Sequence, residues 1–155
     1  MKTIGMIGGM SWESSVEYYK IINEAALAKL GGVHSAKSVM ISVDFAEIDA
    51  ILKEGRWEDG AKIMINAAKQ LEAAGADFVL ICTNTLHKVA DQVQQAISIP
   101  LLHIADAAGE AVKAQNMQKV ALLGTRFTMQ DDFIKGRLAD KFGLQVITPD
   151  AADQE

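Results

Sequence analysis

Apolar positions along this chain follow two alternating rhythms. Short apolar-rich runs predict strands, and longer stretches with apolar residues every three or four positions predict helices. The runs cover residues 2–7, 38–43, 77–81, 101–104, 119–123 and 144–147. The helical patterns cover about 11–30, 46–53, 58–74, 86–96, 105–115 and 128–142. In the first helix Val16, Tyr19, Ala26 and Leu30 recur at helical spacing, with Ser11 as N-cap and Gly31 as stop. In 58–74 the residues Ile63, Met64, Ala67, Ala68 and Leu71 share one face, and Gly75 closes the helix. Thr128 with Asp131 three positions on resembles a capping box. The run at 77–81 is apolar almost throughout, as suits a parallel strand covered on both faces. Strands alternating with helices predict an α/β fold built on a parallel sheet. Residues 98–106 are the best place for a change of sub-domain.

Composition narrows the class. Half of the 155 residues are apolar and 23% are charged, the balance of a globular domain. A net charge of −5 gives neither nucleic acid nor an anionic membrane an electrostatic attraction. No apolar run approaches the roughly 18–20 residues of a membrane span. The opening MKTIGMIGGMSWESS reads as a first strand rather than a signal peptide. One cysteine, Cys82, rules out a disulfide within the chain. His34, His87 and His103 lie far apart, without HExxH or CxxC spacing, so no metal site is expected. The expectation is a cytoplasmic enzyme or binding domain.

In open parallel sheets, ligands bind beyond the carboxyl ends of the strands. Three such ends share one pattern, a strand followed by small polar residues and a helix start: Gly8-Gly9-Met10-Ser11, Cys82-Thr83-Asn84-Thr85 and Gly124-Thr125-Arg126-Phe127-Thr128. Backbone N–H groups and hydroxyls at a helix start suit a carboxylate or phosphate. Gly5-x-x-Gly8-Gly9 does not have the spacing of a dinucleotide site. Cys82 has two readings. It is either a buried core cysteine or a thiolate favoured by the start of the next helix, a setting that lowers a thiol from about 8.5 to roughly 3.5–7.5. His87, one turn on, could assist Cys82 or be solvated on a helix surface. His103 reads as a satisfied core histidine. Glu13, Glu17 and Glu24 read as a solvated helix face, and Met6, Met10, Met40 and Met64 as core or pocket lining.

At these loops the sequence resembles the aspartate/glutamate racemase family. The carrying stretches are IGMIGGMSWES at 4–14, LICTNT at 80–85 and LLGTRFTM at 122–129. The resemblance runs along the whole chain and is strongest toward bacterial aspartate racemase-like enzymes with broad amino-acid use. It implies a two-lobed α/β fold of pseudo-symmetric halves with parallel-sheet, three-layer lobes and the substrate between them. Residues 1–100 would form the first lobe, carrying Cys82, and 101–155 the start of an incomplete second lobe. Such enzymes use no pyridoxal phosphate and no metal, and are commonly homodimers. Two cysteines face the substrate Cα, one removing a proton as thiolate and the other returning one as thiol; inversion of a stereocentre needs a base and an acid on opposite faces.

The resemblance assigns Cys82 as the first catalytic cysteine. It places Thr83, Asn84 and Thr85 on the polar groups of an amino acid or dicarboxylate, and Met10 and Ser11 in the first substrate loop. Gly124, Thr125 and Thr128 fall in a second-lobe loop that receives a carboxylate. The family's second cysteine lies downstream in a Gly-Cys-Thr-Glu type motif, and this chain has no second cysteine. The expectation is therefore a chain lacking the C-terminal part of such an enzyme. Two alternatives stay open: a one-cysteine isomerase or decarboxylase of dicarboxylates, and an inactive amino-acid-binding fragment. An acidic substrate would want a cation, for which Arg126 and Lys53 are candidates that spacing alone does not place.

Overall fold

The structure, a computed structural model, describes residues 1–154; Glu155, the last residue of the expected second lobe, lies outside them. The chain divides into two compact units, Met1–Leu102 and a second from His103 onward.

In the first unit, strand β1 (Ile4–Gly8) lies between β2 (Ser38–Ser42) and β3 (Phe78–Ile81), parallel to both. The register aligns Met6 with Met40 and Leu80. Helix α1 (Trp12–Leu30) leads from β1 to β2, and α2 (Phe45–Glu54) and α3 (Trp57–Ala73) lead from β2 to β3. A 3₁₀ segment (Thr85–Val89) and α4 (Ala90–Gln95) follow β3. Side chains alternate across a strand, so the sheet has two distinct faces. Ile7, Val79 and Ile81 cluster with Ala61, Met64, Ala67, Ala68 and Leu71 of α3. A β-carbon at Gly5 would lie 3.0 Å from that of Ala76 and 3.3 Å from that of Leu71. The α3 side is therefore packed as its sequence periodicity predicts.

The other face belongs to α1, and here the expectation fails. Of the four apolar residues that recur at helical spacing, Val16, Tyr19 and Leu30 are exposed and only Ala26 is partly buried. The helix instead turns inward Ser15, which is buried, with Tyr18, Ile22 and Ala26 partly buried. Small hydroxyl side chains allow the helix to approach the sheet closely, and a β-carbon at Gly8 would lie 2.6 Å from the Ser15 hydroxyl oxygen. Ser11 occupies the N-cap position but makes no side-chain capping bond. After α1 the chain turns through Gly31 and Gly32, both with positive φ, and Val33 is fully exposed.

The second unit contains α5 (Ile104–Ala114), β4 (Lys119–Ala121), α6 (Arg126–Gln130), α7 (Asp132–Phe142), β5 (Gln145–Ile147) and a 3₁₀ turn (Ala151–Gln154). Strands β4 and β5 pair in parallel. Ala105, Ile134, Leu138 and Leu144 form its buried core. Asp106 on α5 accepts a forked pair of bonds from Arg137 at 2.6 and 2.9 Å and one from Lys141 at 2.6 Å, tying α5 to α7. Those bonds hold its carboxyl well below the usual carboxylate range.

Among the element boundaries that differ from the sequence reading, two lie at helix starts of the second unit. The strand expected at 101–104 is reduced to one bridge, from Leu101 to Val79. His103 caps the next helix, its Nδ1 accepting from the Ala105 N–H at 3.1 Å, so Ile104 is already helical. Burial, with Arg137 nearby, pushes the His103 imidazole down to about 4, keeping that nitrogen free to accept. The helix start expected at Thr128 lies earlier. Thr125 is the cap, accepting from the Thr128 N–H at 3.4 Å. Asp131 then takes an extended backbone and separates α6 from α7.

Candidate active site

At the end of β1 the backbone runs hard against the end of β2. Gly9 has φ +92, and a β-carbon there would collide with the Val43 carbonyl oxygen and lie 2.7 Å from the Val43 nitrogen. Glycine is required on both counts. The glycine pair thus has a packing explanation that needs no nucleotide. The Gly9 N–H donates to the Ser15 hydroxyl at 2.9 Å. Met10 is buried in the core and Ser11 is half-buried.

Strand β3 brings Cys82 beside this loop, the Cys82 N–H donating to the Ile7 carbonyl at 2.9 Å. By strand alternation Cys82 continues the Leu80 face, the side that α1 covers. Its side chain is fully buried. The Ser14 hydroxyl donates to the Cys82 carbonyl at 2.7 Å and lies 2.9 Å from the Ser11 carbonyl. Burial pushes the Cys82 thiol up to about 12. Of the two readings open from the sequence, the lowered thiol is thus corrected and the buried cysteine is what the structure shows. The residues after the turn form a 3₁₀ segment, α4 starts only at Ala90, and the expected α-helical N-terminus does not begin beside the sulfur. Tyr18 on α1 is raised above its ordinary value by its own burial and by the charge a Cys82 thiolate would carry.

Along the turn Thr83 is half-buried, Asn84 exposed and Thr85 buried. His87 is 2% exposed, so it is not the solvated helix residue that its position suggested. Its Nδ1 lies 2.7 Å from the Thr83 carbonyl oxygen, and its backbone N–H donates to the Asn84 carbonyl at 3.0 Å.

The remaining sequence candidates form one loop of the second unit. Gly124 and Thr125 are exposed, while Thr128 is buried with its hydroxyl 3.1 Å from that of Thr125. A β-carbon at Gly124 would lie 2.9 Å from the Thr128 methyl, so a glycine keeps this loop tight. The structure therefore gathers Met10, Ser11, Cys82, Thr83, Asn84 and Thr85 at adjoining strand ends of the first unit. Gly124, Thr125 and Thr128 sit together in the second. Sequence reasoning missed Ser14, Ser15 and Tyr18, although their spacing from Ser11 marks one inward face of α1.

A surface depression over α2 and α3, lined by Glu47, Arg56, Asp59 and Lys62 among others, holds none of these residues. Its cations are already paired: Arg56 with Glu54 and Asp59, and Lys62 with Asp59. Lys53 pairs with Asp49 at 2.6 Å in the open. Among the described residues no group of three or more His, Cys, Asp or Glu could hold a metal ion, and no helix is long and apolar enough to cross a membrane.

The sequence profile of the Asp/Glu/hydantoin racemase family matches residues 7–155. Over 71 residues the chain is 38% identical to the broad specificity amino-acid racemase RacX of Bacillus subtilis (strain 168), a match covering 44% of this chain and 30% of that relative. A crystal structure from Yersinia pestis, classed as an Asp/Glu racemase, is 51% identical with a TM-score of 0.95, covering 99% of this chain and 67% of that one. An aspartate racemase homologue from Pyrococcus horikoshii OT3 is 38% identical with a TM-score of 0.88, covering 100% of this chain and 67% of that one. The chain thus spans about two thirds of these solved structures and under a third of RacX. With the family profile matched over nearly its entire length, the chain belongs to the Asp/Glu/hydantoin racemase family.

Proposed function

We propose that this chain supplies the Cys82 side of a cofactor-independent amino-acid racemase site, with the first unit as one lobe and the second as the start of the other. The observation that carries this reading is the position of Cys82. It sits at the carboxyl end of a parallel strand, beside the Met10-Ser11 loop and directly before Thr83, Asn84 and Thr85. That is where an open parallel sheet binds its ligands. Thr83, Asn84, Thr85 and Ser11 would bind the substrate's polar groups, with Met10 lining the loop. Gly124, Thr125 and Thr128 would receive a carboxylate.

The buried thiol is protonated at neutral pH, so its resting role is the acid that returns a proton to Cα. Proton removal by Cys82 itself requires the thiolate, which burial disfavours. The chain contains one cysteine, so inversion requires an acid–base group on the opposite face of Cα other than a second thiol of this chain. Deuterium exchange at Cα of each aspartate and glutamate enantiomer in D₂O tests the reading. We expect slow exchange of one enantiomer, faster at higher pH and lost in Cys82→Ser. Fast exchange of both enantiomers, or exchange that survives Cys82→Ser, would overturn it.

The same reading includes cytoplasmic location, independence of pyridoxal phosphate and self-association as a homodimer. Trp12, Val16, Tyr19, Leu27 and Leu30, exposed on α1, support association. Light scattering that returns a monomer mass at high concentration counts against it.

A further inference from the structure

Two successive carbonyls of the Cys82 turn are each held by a side chain from a different element. Ser14, on the first turn of α1, donates to the Cys82 carbonyl at 2.7 Å. His87, on the 3₁₀ segment, lies with Nδ1 2.7 Å from the Thr83 carbonyl oxygen. A carbonyl cannot donate, so Nδ1 must carry the proton in that bond. The Ser14 hydroxyl has one proton and two carbonyls in reach, and the Cys82 carbonyl is the nearer.

We propose that Ser14 and His87 are positioning residues that clamp the Cys82 turn, fixing the two peptide planes that follow the cysteine. Both peptide bonds are trans, so each N–H points opposite to its carbonyl. Holding the Cys82 and Thr83 carbonyls therefore also fixes the direction of the Thr83 and Asn84 N–H groups. The clamp keeps the thiol inside: Cys82 is fully buried, and a turn free to move exposes it more readily. Loss of either donor leaves a partly buried carbonyl without a bond and makes local opening easier. The catalytic meaning of the clamp rests on the racemase reading above; its mechanical effect on the thiol does not.

The test uses the full 155-residue chain, whose single cysteine makes alkylation by iodoacetamide a report on Cys82 alone. Rates are measured from neutral to alkaline pH for the parent, Ser14→Ala, Ser14→Thr, His87→Leu and His87→Asn. Asparagine places an amide donor near the position of Nδ1. Ile48→Ala, which truncates a buried side chain on α2, sets the rate expected from general loosening. We expect Ser14→Ala and His87→Leu to alkylate about three- to tenfold faster than the parent, the equivalent of one lost hydrogen bond. That increase should exceed the one in Ile48→Ala, while Ser14→Thr and His87→Asn restore slow labelling. Parental rates in Ser14→Ala and His87→Leu would overturn the proposal. So would a rise no larger than that of Ile48→Ala, or Thr and Asn variants as fast as Ala and Leu. Either position decides the matter if the other variant fails to fold. Alkylation uses no amino acid, so the clamp can fail while Cα exchange stands, and the reverse.

Discussion

On the α3 side of the β2–β1–β3 sheet, Ile7, Val79 and Ile81 cluster with Met64, Ala68 and Leu71, all nearly inaccessible to solvent. On the α1 side, Met6 lies between half-buried Met40 and Leu80, and the covering helix presents a serine and a tyrosine. The first face is apolar and shape-filling. The second is held by hydroxyl-to-backbone bonds at 2.7–2.9 Å and carries the cysteine. One side of a single sheet thus supplies cohesion, while the other holds the cysteine beside hydroxyl-to-backbone bonds. The contrast teaches that a strand end can be fixed by a few directed bonds when the opposite face already binds the layer together.

The largest effect expected is on the apolar face. Leu71→Ala should lower stability by about 2–5 kcal/mol, read from urea denaturation. A loss under about 1 kcal/mol would mean that the α3 side is not the cohesive one. Next is the alkaline limb of stability. The folded state keeps the Cys82 thiol protonated to about 12, against an ordinary value of 9.0. That contribution is fully present below 9.0 and is lost as pH rises toward 12, because the unfolded chain ionises first. Cys82→Ala should flatten that limb in pH-resolved thermal melts, and an unchanged slope would show that the thiol is not shielded. Ser15→Ala strips the buried Gly9 N–H of its acceptor and should cost about 1–3 kcal/mol. A neutral result would remove the directed-bond half of the comparison. Val16→Ser, on the exposed side of α1, should change the stability of the isolated chain by less than about 0.5 kcal/mol.

The layer order and the α3 face were legible because a buried helix writes a wide apolar stripe into its sequence. Helix α1 misled for the opposite reason. Its apolar residues at 16, 19 and 30 face solvent, while its packing surface is small and polar, so periodicity pointed away from the sheet. Residues 101–104 show another limit: an apolar run after proline reads as a strand until a histidine cap converts it to a helix start. The position of Cys82 at a strand end could be read directly. Its ionisation could not, since burial depends on what α1 and the turn place around the sulfur. His87 was open to either reading because its bond to the Thr83 carbonyl arises from a tight 3₁₀ turn rather than from α-helical geometry.

Because β1 is the middle strand, the segment before the Gly31-Gly32 bend is gripped by backbone bonds to two neighbours at once. A single proteolytic nick beside exposed Val33 would therefore leave two polypeptides still associated without a covalent link. Fragments made separately on either side of that bend should reconstitute by complementation, with the amino-terminal piece threading between the two outer strands.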